Sequence, residues 1–75
     1  MKFEINRYFE NGKETWERNM TFSEGVEKVL MYSLNCDCNM IDSRTGEVVF
    51  SKSHGNYYIA TELKVYLIQC VGGNN

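Results

Sequence analysis

Between Thr21 and Asn35 the chain reads Thr-Phe-Ser-Glu-Gly-Val-Glu-Lys-Val-Leu-Met-Tyr-Ser-Leu-Asn, with Phe22, Val26, Val29, Leu30 and Ser33 recurring at i, i+4, i+7, i+8 and i+11. That spacing lays them along one stripe of a 3.6-residue period and predicts an amphipathic helix, with Glu24, Lys28 and Tyr32 away from the buried stripe. Thr21 and Glu24 stand three apart, as in a capping box, where each side chain satisfies an open backbone donor of the first turn. Ser23 is a competing N-cap. Gly25 costs the helix about 1 kcal/mol against alanine and is read as tolerated rather than as the mark of a close neighbour. Asn35 is expected to close the helix in the left-handed conformation, because Cys36-Asp37-Cys38 leaves the stripe.

Strand signals surround this helix. Lys2 to Glu10 alternates, with Phe3, Ile5 and Phe9 against Lys2, Glu4, Asn6 and Tyr8, and Asn11-Gly12 follows. Asn-Gly after such a run predicts a two-residue type I′ hairpin, since both residues tolerate positive φ. That turn sets a register of Phe9 on Glu14, Tyr8 on Thr15, Arg7 on Trp16, Ile5 on Arg18 and Phe3 on Met20. It makes Arg7 and Trp16 a cation–π candidate and turns Phe3, Ile5, Phe9, Trp16 and Met20 to the helix. A second hairpin spans Cys38–Asp42 and Glu47–Ser51 around Ser43-Arg44-Thr45-Gly46. Asp42 is placed to bond the turn, with Ile41 on Val48, Met40 on Val49, Asn39 on Phe50 and Cys38 on Ser51. One face of this hairpin would carry Ile41, Val48 and Phe50 and the other Met40 and Val49.

Lys52 to Asn56 reads as a polar turn. From Tyr57 to Val71 two periods compete. Alternation of Tyr57, Ile59, Thr61, Leu63, Val65 and Leu67 favours a long strand, whereas Ile59, Leu63, Tyr66, Leu67 and Cys70 would share one side of a helix. β-Branched and aromatic enrichment selects the strand, with the helix as the alternative. The sum is a single α+β domain over 1–75: an antiparallel sheet of two β-hairpins on one central helix (ββαββ), a further C-terminal strand, and a frayed tail at 71–75.

A chain of 75 residues buries only about 60% of its unfolded surface, which leaves a marginal core and makes pairing with a second copy through the overhanging strand an expectation to test. Its 43% hydrophobic and 13% aromatic content excludes disorder. A formal charge of −2 with no basic run gives no field for a phosphate backbone, so no nucleic-acid partner is expected. There is no apolar run of signal-peptide or membrane-spanning type. Three cysteines are an odd set for a disulfide framework, and a reducing cytoplasm is the expected compartment.

Chemical motifs are sparse. Cys36, Cys38, His54 and Cys70 would count as a Cys3His zinc set, but Cys-x-Cys lacks the Cys-x2-Cys spacing that presents both thiolates to one ion, and buried thiols are the simpler reading. The same Cys-x-Cys has no flanking helix N-terminus to lower a thiol pKa for redox work. His54, with Ser51 and Ser53 near it, has nothing to fix a nucleophile–base geometry. Asp42, Glu47 and Glu62 read as solvated positions, and Gly72-Gly73 leads into no helix and forms no phosphate loop. No catalytic residue and no cofactor is expected. The large aromatics Tyr8, Trp16, Tyr32, Tyr57 and Tyr58 are the candidate partner-binding residues, should they group on the surface.

Arg7-Tyr8-Phe9-Glu10-Asn11-Gly12-Lys13 with Trp16, Thr21-Phe22-Ser23-Glu24, and Ile41-Asp42-Ser43-Arg44-Thr45-Gly46-Glu47-Val48-Val49 resemble small accessory proteins of phages and mobile elements in low-GC bacteria. The resemblance covers about two thirds of the chain and rests on turn and cap chemistry. Some proteins of that kind inhibit host defence, anti-CRISPR proteins among them, by occupying a functional surface of a larger complex. What it implies is a non-enzymatic module that binds a protein and blocks it sterically through a sheet face or edge. The alternatives are a homodimeric accessory protein and a small zinc- or thiol-dependent regulator.

Overall fold

Phe3 and Ile5 alternate with Glu4 and Asn6, and a period of two turns the apolar pair to one side of a strand. A computed structural model describes residues 2–72, with side chains through Gln69. It shows β1 (Phe3–Tyr8), β2 (Glu14–Met20), α1 (Phe22–Tyr32), β3 (Asp37–Asp42), β4 (Val48–Ser53), β5 (Asn56–Ile59) and α2 (Thr61–Gly72). The strands form one antiparallel sheet in the order β2-β1-β3-β4-β5. Phe3, Ile5, Met20, Cys38, Met40 and Phe50 from the sheet meet Val26 and Val29 of α1 and Leu63 of α2 in a single core. Phe22 of α1 also packs edge-on to Tyr66 of α2, so both helices cover the same face. The α+β sheet-and-helix architecture expected from the sequence is the one observed.

α1 begins with the full capping box: Thr21 N–H donates to Glu24 Oε1 at 3.0 Å and Glu24 N–H donates to Thr21 Oγ1 at 3.2 Å. The helix is rolled relative to the expected stripe. Gly25, Val26, Val29 and Ser33 are buried, Leu30 is exposed, and Lys28 and Tyr32 are half-buried. Arg7 and Glu17 on the sheet draw in the Tyr32 ring and hydroxyl, and an amphipathic side chain can supply both contacts at once. Gly25 is a point of close approach after all: a Cβ there would lie 2.6 Å from Met40 Cε and 3.8 Å from Phe3 Cβ. Asn35 is not left-handed. The helix instead ends at a right-handed Ser33, and the Asn35 and Cys36 amides both donate to Tyr32 O.

A longer turn reset the register of the first hairpin, and a bulge that of the second. Asn11-Gly12 sits in a three-residue loop rather than a two-residue one: Gly12 N–H donates to Phe9 O, Phe9 N–H donates to Lys13 O, and Gly12 takes φ 82°. This is a type I turn closed by a left-handed glycine, and the extra residue shifts the pairing by one. Arg7 therefore pairs with Thr15, Asn6 with Trp16 and Ile5 with Glu17. A bulge in β2, with Asn19 at φ 62°, restores Phe3 to Met20. Because one step of register exchanges the faces of a strand, Trp16 lands on the side away from the helices. Phe9 lies beyond β1 and is exposed.

The second hairpin keeps Ile41 on Val48 and the Asp42 N–H bond to Glu47 O, then bulges, so that Met40 faces Phe50, Asn39 faces Ser51 and Cys38 faces Lys52. The bulge resolves the two-sided apolar pattern by bringing Met40 and Phe50 into one core. The tight type I′ turn belongs instead to His54-Gly55, at φ 51° and 81°, between β4 and β5. The long C-terminal strand is replaced by the four residues of β5 and then α2, the alternative reading of that segment. Past Ala60, whose N–H donates to Val49 O, helical spacing carries Leu63, Tyr66 and Leu67 to the core together. Val71 and Gly72, expected in a frayed tail, belong to α2, and 73–75 lie outside the described residues. No helix among the described residues is long and apolar enough to cross a membrane.

Candidate interaction face

With both helices on one face, the other face of the sheet is bare. Strand alternation brings to it Glu4, Asn6 and Tyr8 from β1, Glu14 and Trp16 from β2, Asp37, Asn39 and Ile41 from β3, Ser51 from β4 and Tyr58 from β5. One cross-strand row crosses the whole sheet as Trp16, Asn6, Asn39, Ser51 and Tyr58. A shorter row beside it reads Glu14, Tyr8 and Asp37.

A hydrogen-bonded relay fixes the centre of this face. Asn6 Nδ2 donates to Asn39 Oδ1 at 3.1 Å, and Asn39 Nδ2 donates to the Tyr8 hydroxyl at 3.4 Å. At one edge the Arg18 guanidinium lies 3.8 Å from the Trp16 ring centre and 3.6 Å from Glu4 Oε1, which completes a stack of aromatic, cation and carboxylate. Trp16 is 51% exposed, Tyr58 54% and Tyr8 40%. Rigid aromatics exposed around a fixed polar centre are well suited to a protein contact, since little side-chain freedom is lost on binding.

The structure divides the five aromatics singled out in the sequence. Tyr8, Trp16 and Tyr58 share the bare face. Tyr32 and Tyr57 do not: Tyr32 sits under Arg7 on the helix side, and Tyr57 packs edge-on to the core residue Phe50. The expected stack of Arg7 on Trp16 is absent, and each half found another partner in Tyr32 and Arg18. Asn6, Asn39, Ser51 and Arg18 are among the members of this face that the sequence did not single out as site residues. Asn6 shares the Tyr8 side by simple alternation, whereas the places of Ser51 and Arg18 were readable only once the bulges were known.

The thiol and histidine candidates lie around one end of the sheet. Cys36 Sγ and Cys38 Sγ donate to α1 carbonyls, of Tyr32 at 3.5 Å and Val29 at 3.9 Å. Burial, with the neighbouring Cys36 adding to it, pushes the Cys38 thiol up to about 11. His54 is exposed on its turn; its backbone N–H donates to Asp37 Oδ2 and its Nδ1 lies 3.0 Å from Ser53 Oγ. Asp37 thus engages the backbone of His54 and not its ring. Among the described residues no three His, Cys, Asp or Glu side chains converge on a metal position, and the Cys70 side chain is outside them.

Comparison of the chain with protein-family models, with curated proteins and with solved structures gives no match.

Proposed function

We propose that this protein is a non-enzymatic protein-binding module, a small phage-encoded inhibitor of a host defence protein of the anti-CRISPR kind, that acts by laying its bare sheet face over a functional surface of a larger complex. The observation that carries the reading is a five-stranded sheet covered by helices on one face only, with Tyr8, Trp16 and Tyr58 exposed on the other. The sheet edges are poorer candidates. β2 is bulged and rich in charge, and β5 is only four residues long, both devices that discourage strand addition. Glu4, Glu14 and Asp37 against Arg18 make the face unsuited to a phosphate backbone.

The test is an interference assay in a bacterium whose nuclease-based defence restricts a phage. Expression of the protein is expected to restore plaque formation, and Trp16→Ala with Tyr58→Ala to abolish the effect while leaving the circular dichroism spectrum unchanged. Full inhibition by that folded double variant would remove the face from the mechanism.

A second reading, a homodimer, draws support from α2, where Val65 and Ile68 are exposed. The four-residue β5 offers little backbone for the pairing through Tyr57 to Leu67 that the sequence suggested. Light scattering would decide, with a monomer at micromolar concentration counting against it.

A further inference from the structure

Charge is distributed unequally between the two sides of the sheet. Arg7, Lys28 and Lys52 all turn to the helix side, where Arg7 stacks on Tyr32, Lys28 bonds Glu17 and Lys52 Nζ donates to Ser33 O. On the bare face Arg18 is bound to Glu4 and Trp16. Glu14 and Asp37 flank Tyr8 in one cross-strand row, and among the described residues neither makes a salt bridge. Among the described residues the Asp37 carboxylate accepts only the His54 backbone N–H, and the His54 ring is turned to Ser53.

This fold twice assembles an aromatic ring, a guanidinium and a carboxylate: Trp16, Arg18 and Glu4 on the bare face, and Tyr32, Arg7 and Glu17 under α1. The row Glu14, Tyr8, Asp37 has the ring and carboxylates on both sides of it, but among the described residues no cation pairs with either carboxylate. Directly opposed residues in a sheet lie about 4.5–5.5 Å apart, so one side chain seated on Tyr8 reaches both carboxylates. Asn39, holding the Tyr8 hydroxyl, keeps the ring in place.

We propose that the partner presents a cationic segment to this face, with an arginine or lysine side chain seated over Tyr8 between Glu14 and Asp37. The inference rests on the protein-binding reading above and specifies the chemistry of its partner. Charge complementarity selects a protein surface rich in Arg or Lys, and the exposed rings of Trp16 and Tyr58 then accept flanking side chains.

The test titrates the full chain with short Arg/Gly/Ser, Glu/Gly/Ser and neutral Tyr/Gly/Ser peptides. Binding is followed by amide chemical shifts and by the emission of Trp16, the single tryptophan. The arginine peptide is expected to move the signals of Tyr8, Glu14, Asp37 and Asn39 and to lose affinity as salt rises. Glu14→Gln with Asp37→Asn should weaken it by roughly tenfold, as the loss of close charge contacts does. The amide oxygen introduced by Asp37→Asn still accepts the His54 N–H, so that variant keeps its turn, and Glu62→Gln on α2 serves as the control. No shift with the arginine peptide, shifts confined to α2, or an unchanged affinity in the doubly substituted variant would each overturn the proposal. Preferential binding of the neutral peptide at the same face would overturn it too, yet leave the protein-binding reading standing. That reading falls separately, on the interference assay with Trp16→Ala and Tyr58→Ala.

Discussion

The Arg7 guanidinium stacks 4.1 Å from the centre of the Tyr32 ring and so ties the end of β1 to the last turn of α1. Glu17 completes the cluster by accepting from Lys28 Nζ at 3.2 Å through Oε1, with the Tyr32 side chain beside it, while its Oε2 is buried without a hydrogen-bond partner among the described residues. Burial pushes the Glu17 carboxyl up, but the neighbouring Tyr32 hydroxyl, the Lys28 ammonium bonded to it and the charge of Arg7 together hold it below its ordinary value. A depressed carboxylate stabilises the fold above its unfolded pKa, and that contribution is lost as pH falls through the folded one. The urea midpoint is therefore expected to fall as pH drops below 4.5, with Glu24 in the capping box adding in the same direction. Glu17→Gln should flatten that fall only slightly, because solvent screens so exposed a pair. An unchanged acid slope in the variant would show that the cluster is not the source.

Gly25 and Met40 are expected to be coupled. Alanine at 25 would gain the helix up to about 1 kcal/mol, but its Cβ would press on Met40 Cε, the flexible end of a fully buried side chain. Gly25→Ala alone should come out close to neutral. Combined with Met40→Leu, which removes the clashing methyl, it should be more stable than the sum of the single changes by about 0.5 kcal/mol or more, measured as a double-mutant cycle. Strict additivity would refute the close approach.

Substitutions on the two faces of the sheet should differ in cost. Tyr58→Ala and Trp16→Ala are expected to change stability by no more than about 0.5–1 kcal/mol, the range of surface changes plus the lost Arg18 stack. Phe50→Ala, in the core on the other side of β4, should cost about 3–5 kcal/mol and leave the chain largely unfolded. Equal costs on the two faces would mean that the outer aromatics are structural.

Cys38 should resist alkylation in the native state. Its thiol is buried and pushed up to about 11, so almost no thiolate exists at neutral pH. Iodoacetamide at pH 8 is expected to modify it only at the rate of global opening. Peptide mapping by mass spectrometry checks this, and early labelling of Cys38 would show that β3 opens locally.

Local chemistry explains what could be read from the sequence. Thr21 and Glu24 made the capping box their spacing promised, Phe3 and Ile5 went inward together, and Asp42 with Glu47 closed the second hairpin. What was not legible was decided by tertiary context. Asn11-Gly12 is compatible with two loop lengths; the longer one is offset by a bulge at Asn19 that returns Met20 to Phe3, and a separate bulge at Val49 brings Met40 and Phe50 into the same core. Each change of register moved residues across the sheet. Trp16 left the core for the bare face, and the aromatic candidates split between the two sides. Past Ile59 the strand period persists in the sequence, but the packing of Leu63, Tyr66 and Leu67 on the core selected the helix.

β1 is the seam of the molecule. Its pairing with β2 and the pairings of β4 with β3 and β5 are hairpins that close locally, whereas its pairing with β3 joins Phe3 to Asp42 across about half the described chain. α1 lies inside that span, and a formed helix shortens the disordered length that must be closed. With no proline in the sequence there is no slow isomer to wait for. Refolding is accordingly expected to run as a single fast phase timed by the zipping of β1 onto β3, and a slow second phase in stopped-flow refolding would contradict it.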